Sequence, residues 1–155
     1  PTFWTNLNKL KRIINDGLPP SIYVKSIIEV KDDFHARYGA KKRVYRYIIK
    51  EENSNPFEDN TISFYKDINY EILKKNIKLF EGEFDFKYFM KTGSEVSYTT
   101  REVYKAFAYK HKGYIVLYFE ANGFLRSQIR TMVGSLLRLQ KEQIEEKLTL
   151  QTNHK

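Results

Sequence analysis

Leu7, Leu10, Ile13 and Ile14 recur at the three- and four-residue spacing of one helix face. A first helix is therefore expected from an N-cap at Thr2 through Asn15, stopped by Asp16-Gly17 and Pro19-Pro20. The period then changes to two. Ile22, Val24, Ser26, Ile28 and Val30 predict a strand, and in KKRVYRYIIKEE the residues Val44, Arg46 and Ile48 alternate with Tyr45, Tyr47 and Ile49 along a second. Residues 53–60, with Pro56 inside, read as a loop. A short strand near 62–65 leads to a helix from Asn69 that carries Ile72, Leu73, Ile77, Leu79 and Phe80 and ends at Gly82. Phe84, Phe86 and Phe89 follow as an aromatic knot. Residues 99–110 and 114–120 predict a hairpin about His111-Lys112-Gly113, and the charged tail from Gln140 is expected to fray. Antiparallel strands with two or three helices predict an α+β fold, an antiparallel mixed sheet with helices packed on one face.

The stretch ANGFLRSQIRTMVGSLL, residues 121–137, reads as one more helix behind an Ala-Asn-Gly-Phe turn. Leu125, Ile129, Met132, Val133 and Leu136 form its core-facing stripe. Arg126 and Arg130 are expected one turn apart at the border of that stripe, a like-charge spacing that costs an isolated helix roughly 0.2–0.5 kcal/mol. Two readings of Arg130 stand level: a stem lying on apolar surface with its head in water, or a half-buried guanidinium that requires an anion.

Charge gives the polar positions a direction. The chain carries a formal +8 with a pI near 9.5, which suits a polyanionic partner. A membrane is disfavoured, because no apolar run is long enough to span one and no basic amphipathic arm stands apart. A hydrophobic content of 41% over 155 residues supports one domain with a real core. The absence of cysteine removes disulfides and thiolate–zinc sites. With no signal peptide evident before the first helix, a cytoplasmic setting is expected. The chain opens Pro1-Thr2 without Met, which suggests a processed or cut polypeptide.

Candidate chemistry is sparse. His35, His111 and His154 are not at metal-ligand spacing, so no metal is expected. No glycine-rich nucleotide loop or nucleophile elbow is present, so no nucleotide cofactor is expected. Asp32-Asp33 reads as a solvated turn, and Asp85 as the cap of a short helix. Basic and aromatic residues do interleave: Lys41, Lys42, Arg43 and Arg46 surround Tyr45 and Tyr47. Bases can stack on such tyrosines at about 1–3 kcal/mol each while the cations hold phosphates. A half-buried strand with tyrosines inside and charges outside accounts for the pattern as simply. Arg101 in TTREV and Arg37 after FHA are equally ambiguous. No recognition helix of a DNA-binding domain is evident.

Four stretches taken together carry a resemblance. DDFHARYGAKKRVYRYII, GEFDFKYF, TTREV and ANGFLRSQIRTMVGSLL resemble, in order and spacing, segments of the tRNA pseudouridine synthase A family. The resemblance implies a pseudouridine synthase-like fold of two α/β halves, with residues 1–52 ending the first half and 53–155 forming most of the second. It implies isomerisation of uridine to pseudouridine in the anticodon stem-loop of tRNA, around positions 38 to 40. The target base would be flipped out, no cofactor or metal used, and the enzyme a homodimer.

By the same resemblance Tyr45 matches the tyrosine that stacks on the flipped base. Arg130 matches the arginine that pairs with the catalytic aspartate, and Arg37, Lys42, Arg43, Arg101 and Arg126 are candidate RNA contacts. The family's aspartate lies in a G-R-T-D-x-G-V-H-A motif that does not occur here. The chain is therefore expected to be a fragment without its nucleophile and inactive by itself. A non-catalytic RNA-binding module with a basic cleft is the alternative.

Overall fold

A computed structural model describes residues 6–52, 56–58, 61–94 and 96–149. The expected cap at Thr2 and His154 lie outside them. Two compact units divide at Ala40/Lys41, whereas the resemblance implied two halves meeting near residue 52.

In the first unit, helix α1 spans Leu7–Gly17. Asn6 caps it, its side chain accepting the Lys9 N–H at 2.9 Å. Leu18 turns extended ahead of the two prolines. The expected strand from Ile22 to Val30 does not form. Instead the Asn15 side chain brackets Val24, accepting its N–H at 2.7 Å and donating to its carbonyl at 3.1 Å. Alternation predicts a strand only where a neighbour completes the ladder. None does so here among the described residues, and Ile22, Ile28 and Val30 stay more than half exposed.

The second unit holds a five-stranded sheet of β1 (Arg43–Lys50), β2 (Ser63–Phe64), β3 (Gly82–Asp85), β4 (Thr100–His111) and β5 (Tyr114–Ala121). The strand order is β2-β1-β5-β4-β3, with β1 and β2 parallel and the other pairs antiparallel. The fold is α+β, as expected. Lys112 and Gly113 take φ of 47° and 82°, the left-handed pair that lets a two-residue turn follow the twist of β4 and β5. β1 lies in this unit because it pairs with β5 along nearly its whole length, from Arg43 opposite Ala121 to Ile49 opposite Ile115.

Three helices accompany the sheet: α2 (Tyr70–Asn76), α3 (Gln128–Arg138) and α4 (Lys141–Thr149). Asn69 caps α2, accepting the Ile72 N–H at 3.1 Å, and the chain then tightens into a 3₁₀ turn at Ile77–Phe80 before Gly82. Ile115, Leu117, Phe119 and Ala121 of β5 share one sheet face. They belong to a single core with Leu73, Phe80, Met132, Val133, Ile144 and Leu148. The aromatic knot forms: Phe86 and Phe89 are fully buried, and Phe80–Phe89 and Phe84–Phe86 meet edge to face. Asp85 stands one residue before the expected cap position, which Phe86 occupies, and its side chain accepts the Lys87 N–H at 3.0 Å at the start of the Lys87–Phe89 turn.

The tail departs from expectation. Lys141–Thr149 is a helix whose Ile144 and Leu148 are buried, while Lys141 and Glu145 pair on its wet side at 3.2 Å. A single i, i+4 apolar pair docks it, too sparse a signal to stand out among the charges. Replacing Ile144 by alanine is expected to cost about 2–5 kcal/mol in denaturant unfolding. A loss below about 0.5 kcal/mol would show that α4 contributes nothing to the core.

Candidate active site

A cavity of about 300 Å³ lies between β1 and the start of α3, lined by Tyr45, Tyr47, Phe124, Leu125, Ser127, Gln128, Ile129 and Arg130. Tyr45 and Tyr47 point the same way because they are two residues apart on a strand. Tyr45 is half exposed, and its ring meets Phe124 edge to face at 5.3 Å. That contact fixes the ring on one side and leaves the remaining surface open to the cavity.

The helix begins later than its sequence suggested. Ser127 has φ 65° and α3 opens at Gln128, so Arg126 precedes the helix and is not paired with Arg130 along one face. Gln128 holds this turn. Fully buried, it accepts the Leu125 N–H at 2.8 Å and places its amide nitrogen 3.6 Å from the Met132 sulfur. A buried amide with both ends occupied resists rearrangement, since moving it strands a polar group.

Arg130 follows two residues later. Contrary to the half-buried reading, it is exposed, because the late helix start puts it at the mouth of the cavity. Its Nη2 donates to Ser127 Oγ at 3.1 Å. No carboxylate among the described residues pairs with it. Arg130 also borders a second cavity of about 220 Å³ with Tyr47, Ser63, Gly134 and Arg138.

The other candidate cations separate by environment. Lys42 pairs with Glu120 at 3.1 Å, and Tyr118 donates to the same carboxylate at 2.7 Å. These bonds, Tyr118 first and Lys42 next, hold Glu120 below the usual carboxylate range, while the carboxylate raises the Tyr118 hydroxyl. Arg43 donates to the Asn122 carbonyl at 2.9 Å, and Arg101 Nη1 to the carbonyls of Thr100 and Tyr98 at 2.6 and 3.0 Å. Arg126 is exposed in the turn before α3, where its carbonyl accepts the Lys91 N–H at 2.9 Å. Arg37 belongs to the first unit, its guanidinium 5.6 Å from the Tyr38 ring.

Tyr45 and Arg130, chosen from sequence, thus share a wall. Sequence reasoning missed Gln128, Ser127 and Phe124. Gln128 was detectable as a polar residue at core register between Leu125 and Met132. The left-handed Ser127 left no signal.

No helix among the described residues is long and apolar enough to cross a membrane. No cluster of three acidic or histidine side chains among them is placed to hold a metal.

Because Glu120 has a lowered pKa when folded, its contribution to stability is present above the unfolded carboxylate pKa. It is lost as pH falls through the lowered value. Glu120→Gln is therefore expected to flatten the acid side of the stability–pH curve below about pH 4.5. Parallel curves in urea titrations would refute the pairing.

A family model described as tRNA pseudouridine synthase matches residues 77–152. The chain is 37% identical over 145 residues to tRNA pseudouridine synthase A of Campylobacter jejuni strain RM1221, covering 94% of this chain and 60% of that protein. The Wolinella succinogenes protein of the same name is 36% identical over 129 residues, covering 83% and 51%. That of Pseudothermotoga lettingae is 36% identical over 133 residues, covering 84% and 54%. The chain spans between half and three fifths of the length of these relatives.

Proposed function

Since this chain belongs to the tRNA pseudouridine synthase family, we propose that it is the part of such an enzyme that receives the target base and orients the acid. In this reading uridine of the tRNA anticodon stem-loop, around positions 38 to 40, flips out of its stack and lies against Tyr45. Arg130 holds a carboxylate supplied from outside residues 1–155. The observation that carries it is that Tyr45 and Arg130 line one cavity while no described carboxylate pairs with Arg130.

The chemistry follows from those positions. Isomerisation breaks the bond between N1 and C1′, turns the uracil, and joins C5 to C1′, so the C5 hydrogen leaves as a proton and N1 gains one. A flat, half-exposed ring suits a base that must be gripped and still rotate. An exposed guanidinium that among the described residues bonds only a serine hydroxyl can exchange that bond for a charge-assisted pair, which keeps the carboxylate ionised and aimed. The excess of positive charge draws the tRNA, with Lys42, Arg126 and Arg37 as phosphate contacts. The intact enzyme acts as a homodimer in the cytoplasm.

The competing reading, a non-catalytic RNA-binding module, is favoured by the same missing carboxylate. Tritium release from tRNA labelled at C5 of uridine separates the two. None is expected from the 155-residue chain, and release is expected when a longer polypeptide brings the aspartate motif. Release by the chain alone would mean that the acid has been misassigned. Binding without release from either would favour the module.

In the active protein Arg130→Ala is expected to lower turnover on the order of a hundredfold, the scale of losing one positioned electrostatic contact. Near-normal turnover would end the pairing. Tyr45→Phe should cut turnover more than affinity, and equal losses would remove Tyr45 from the reacting base.

A further inference from the structure

Arg43, Gly123 and Arg101 come together at one end of the sheet, beside the base pocket. Pairing places Arg43 opposite Ala121, and Ala121 opposite Val103. Two residues beyond Ala121 is Gly123, and two before Val103 is Arg101, so the side-chain alternation puts both arginines on the sheet face that carries Tyr45. A Cβ built on Gly123 would lie 3.6 Å from Arg101 Nε and 3.9 Å from Arg43 Nη1. Two guanidinium groups therefore close over a residue without a side chain.

The hydrogen bonds of Arg101 leave a usable edge. Arg101 commits Nη1 to the carbonyls of Tyr98 and Thr100. Those bonds anchor the group and leave the Nε–Nη2 edge, the one that meets an anion's oxygens two at a time. Its Nε is the atom nearest Gly123. Arg43 is held to the Asn122 carbonyl through Nη1. No carboxylate among the described residues pairs with Arg101. Both arginines and Gly123 are partly exposed, so the cradle opens to solvent.

The geometry points to a single-phosphate subsite: Arg43 and Arg101 together bind one RNA phosphodiester adjoining the nucleotide whose base lies on Tyr45, and the bare Cα of Gly123 makes room for it. This rests on the base-pocket reading above. Arg43 stands two positions before Tyr45, roughly 7 Å along the strand, and Phe124, the residue after Gly123, touches the Tyr45 ring. A nucleotide stacked on Tyr45 thus has its backbone within reach of the cradle. Gly123 has no left-handed φ, and a Cβ there would make only ordinary contacts. Glycine is therefore required neither by the turn nor by packing, and room for a ligand is the remaining use.

The test measures affinity of the full chain for an anticodon stem-loop RNA, unmodified or with one uncharged methylphosphonate in place of the phosphodiester on each side of the target uridine in turn. Arg101→Gln is expected to weaken binding of the unmodified RNA on the order of tenfold and to reduce the salt slope by about 0.7. With the methylphosphonate on one of the two sides it should cause no further loss. Gly123→Ala should reproduce that pattern with an unchanged melting temperature. Tyr45→Ala should weaken both RNAs alike. If Arg101→Gln loses as much on every methylphosphonate RNA as on the unmodified one, or Gly123→Ala binds normally, the subsite is wrong while the base pocket stands. If the chain does not bind the RNA, or Tyr45→Ala has no effect, the base-pocket reading falls and the subsite with it.

Discussion

The pairing of β1 with β5 is the constraint on which the rest of the site depends. It runs from Arg43 opposite Ala121 to Ile49 opposite Ile115, and its register decides which side chains of RVYRYIIK meet the core. Ile49 is fully buried at one end and Tyr45 half exposed at the other, so the strand passes from the core to the cavity within four residues. A slip of one residue would turn Tyr45 and Arg43 to the opposite face and bring Arg46 in their place. The buried partners Leu117 and Phe119 oppose that slip, because it would expose Ile49 and bury a charge.

The turn leaving β5 depends on the same register. Asn122 ties it to β4, its N–H donating to the Glu102 carbonyl and its side chain accepting the Glu102 N–H. The next residues bring Gly123 between two arginines and Phe124 against Tyr45. Gln128 then locks the start of α3, so Arg130 reaches the cavity from a rigid support and not from a loop. Rigid placement matters because a charged group that must first find its geometry loses much of its effect on a reacting centre.

The positive charge of the chain is not spread evenly in effect. Lys42 is partly neutralised by Glu120, and Lys50 and Lys78 by Glu58 and Glu81. Glu81 also accepts the Ala106 N–H, and its carboxyl stays low against the cost of its burial. Arg101, Arg126 and Arg130 have no such acidic partner among the described residues. They stand around the Tyr45 end of the sheet or the turn that leads from it.

The sequence by itself determined most of the ordered segments around the sheet and marked candidate site residues. Period and punctuation located β1, β4, β5, α2 and the aromatic knot, because those signals depend on neighbours along the chain. Resemblance singled out Tyr45 and Arg130. Tertiary structure decided the rest. The alternation at 22–30 gained no partner strand, so it stayed coil. The pair Ile144 and Leu148 gained a core to dock on, so the charged tail became a helix. Ser127 turned left-handed, which moved the start of α3 and brought Arg130 into the open. The convergence of Arg43 and Arg101 on Gly123 joins residues far apart in the chain. Only sheet register sets such a distance, and register is a property of paired strands that no single segment contains.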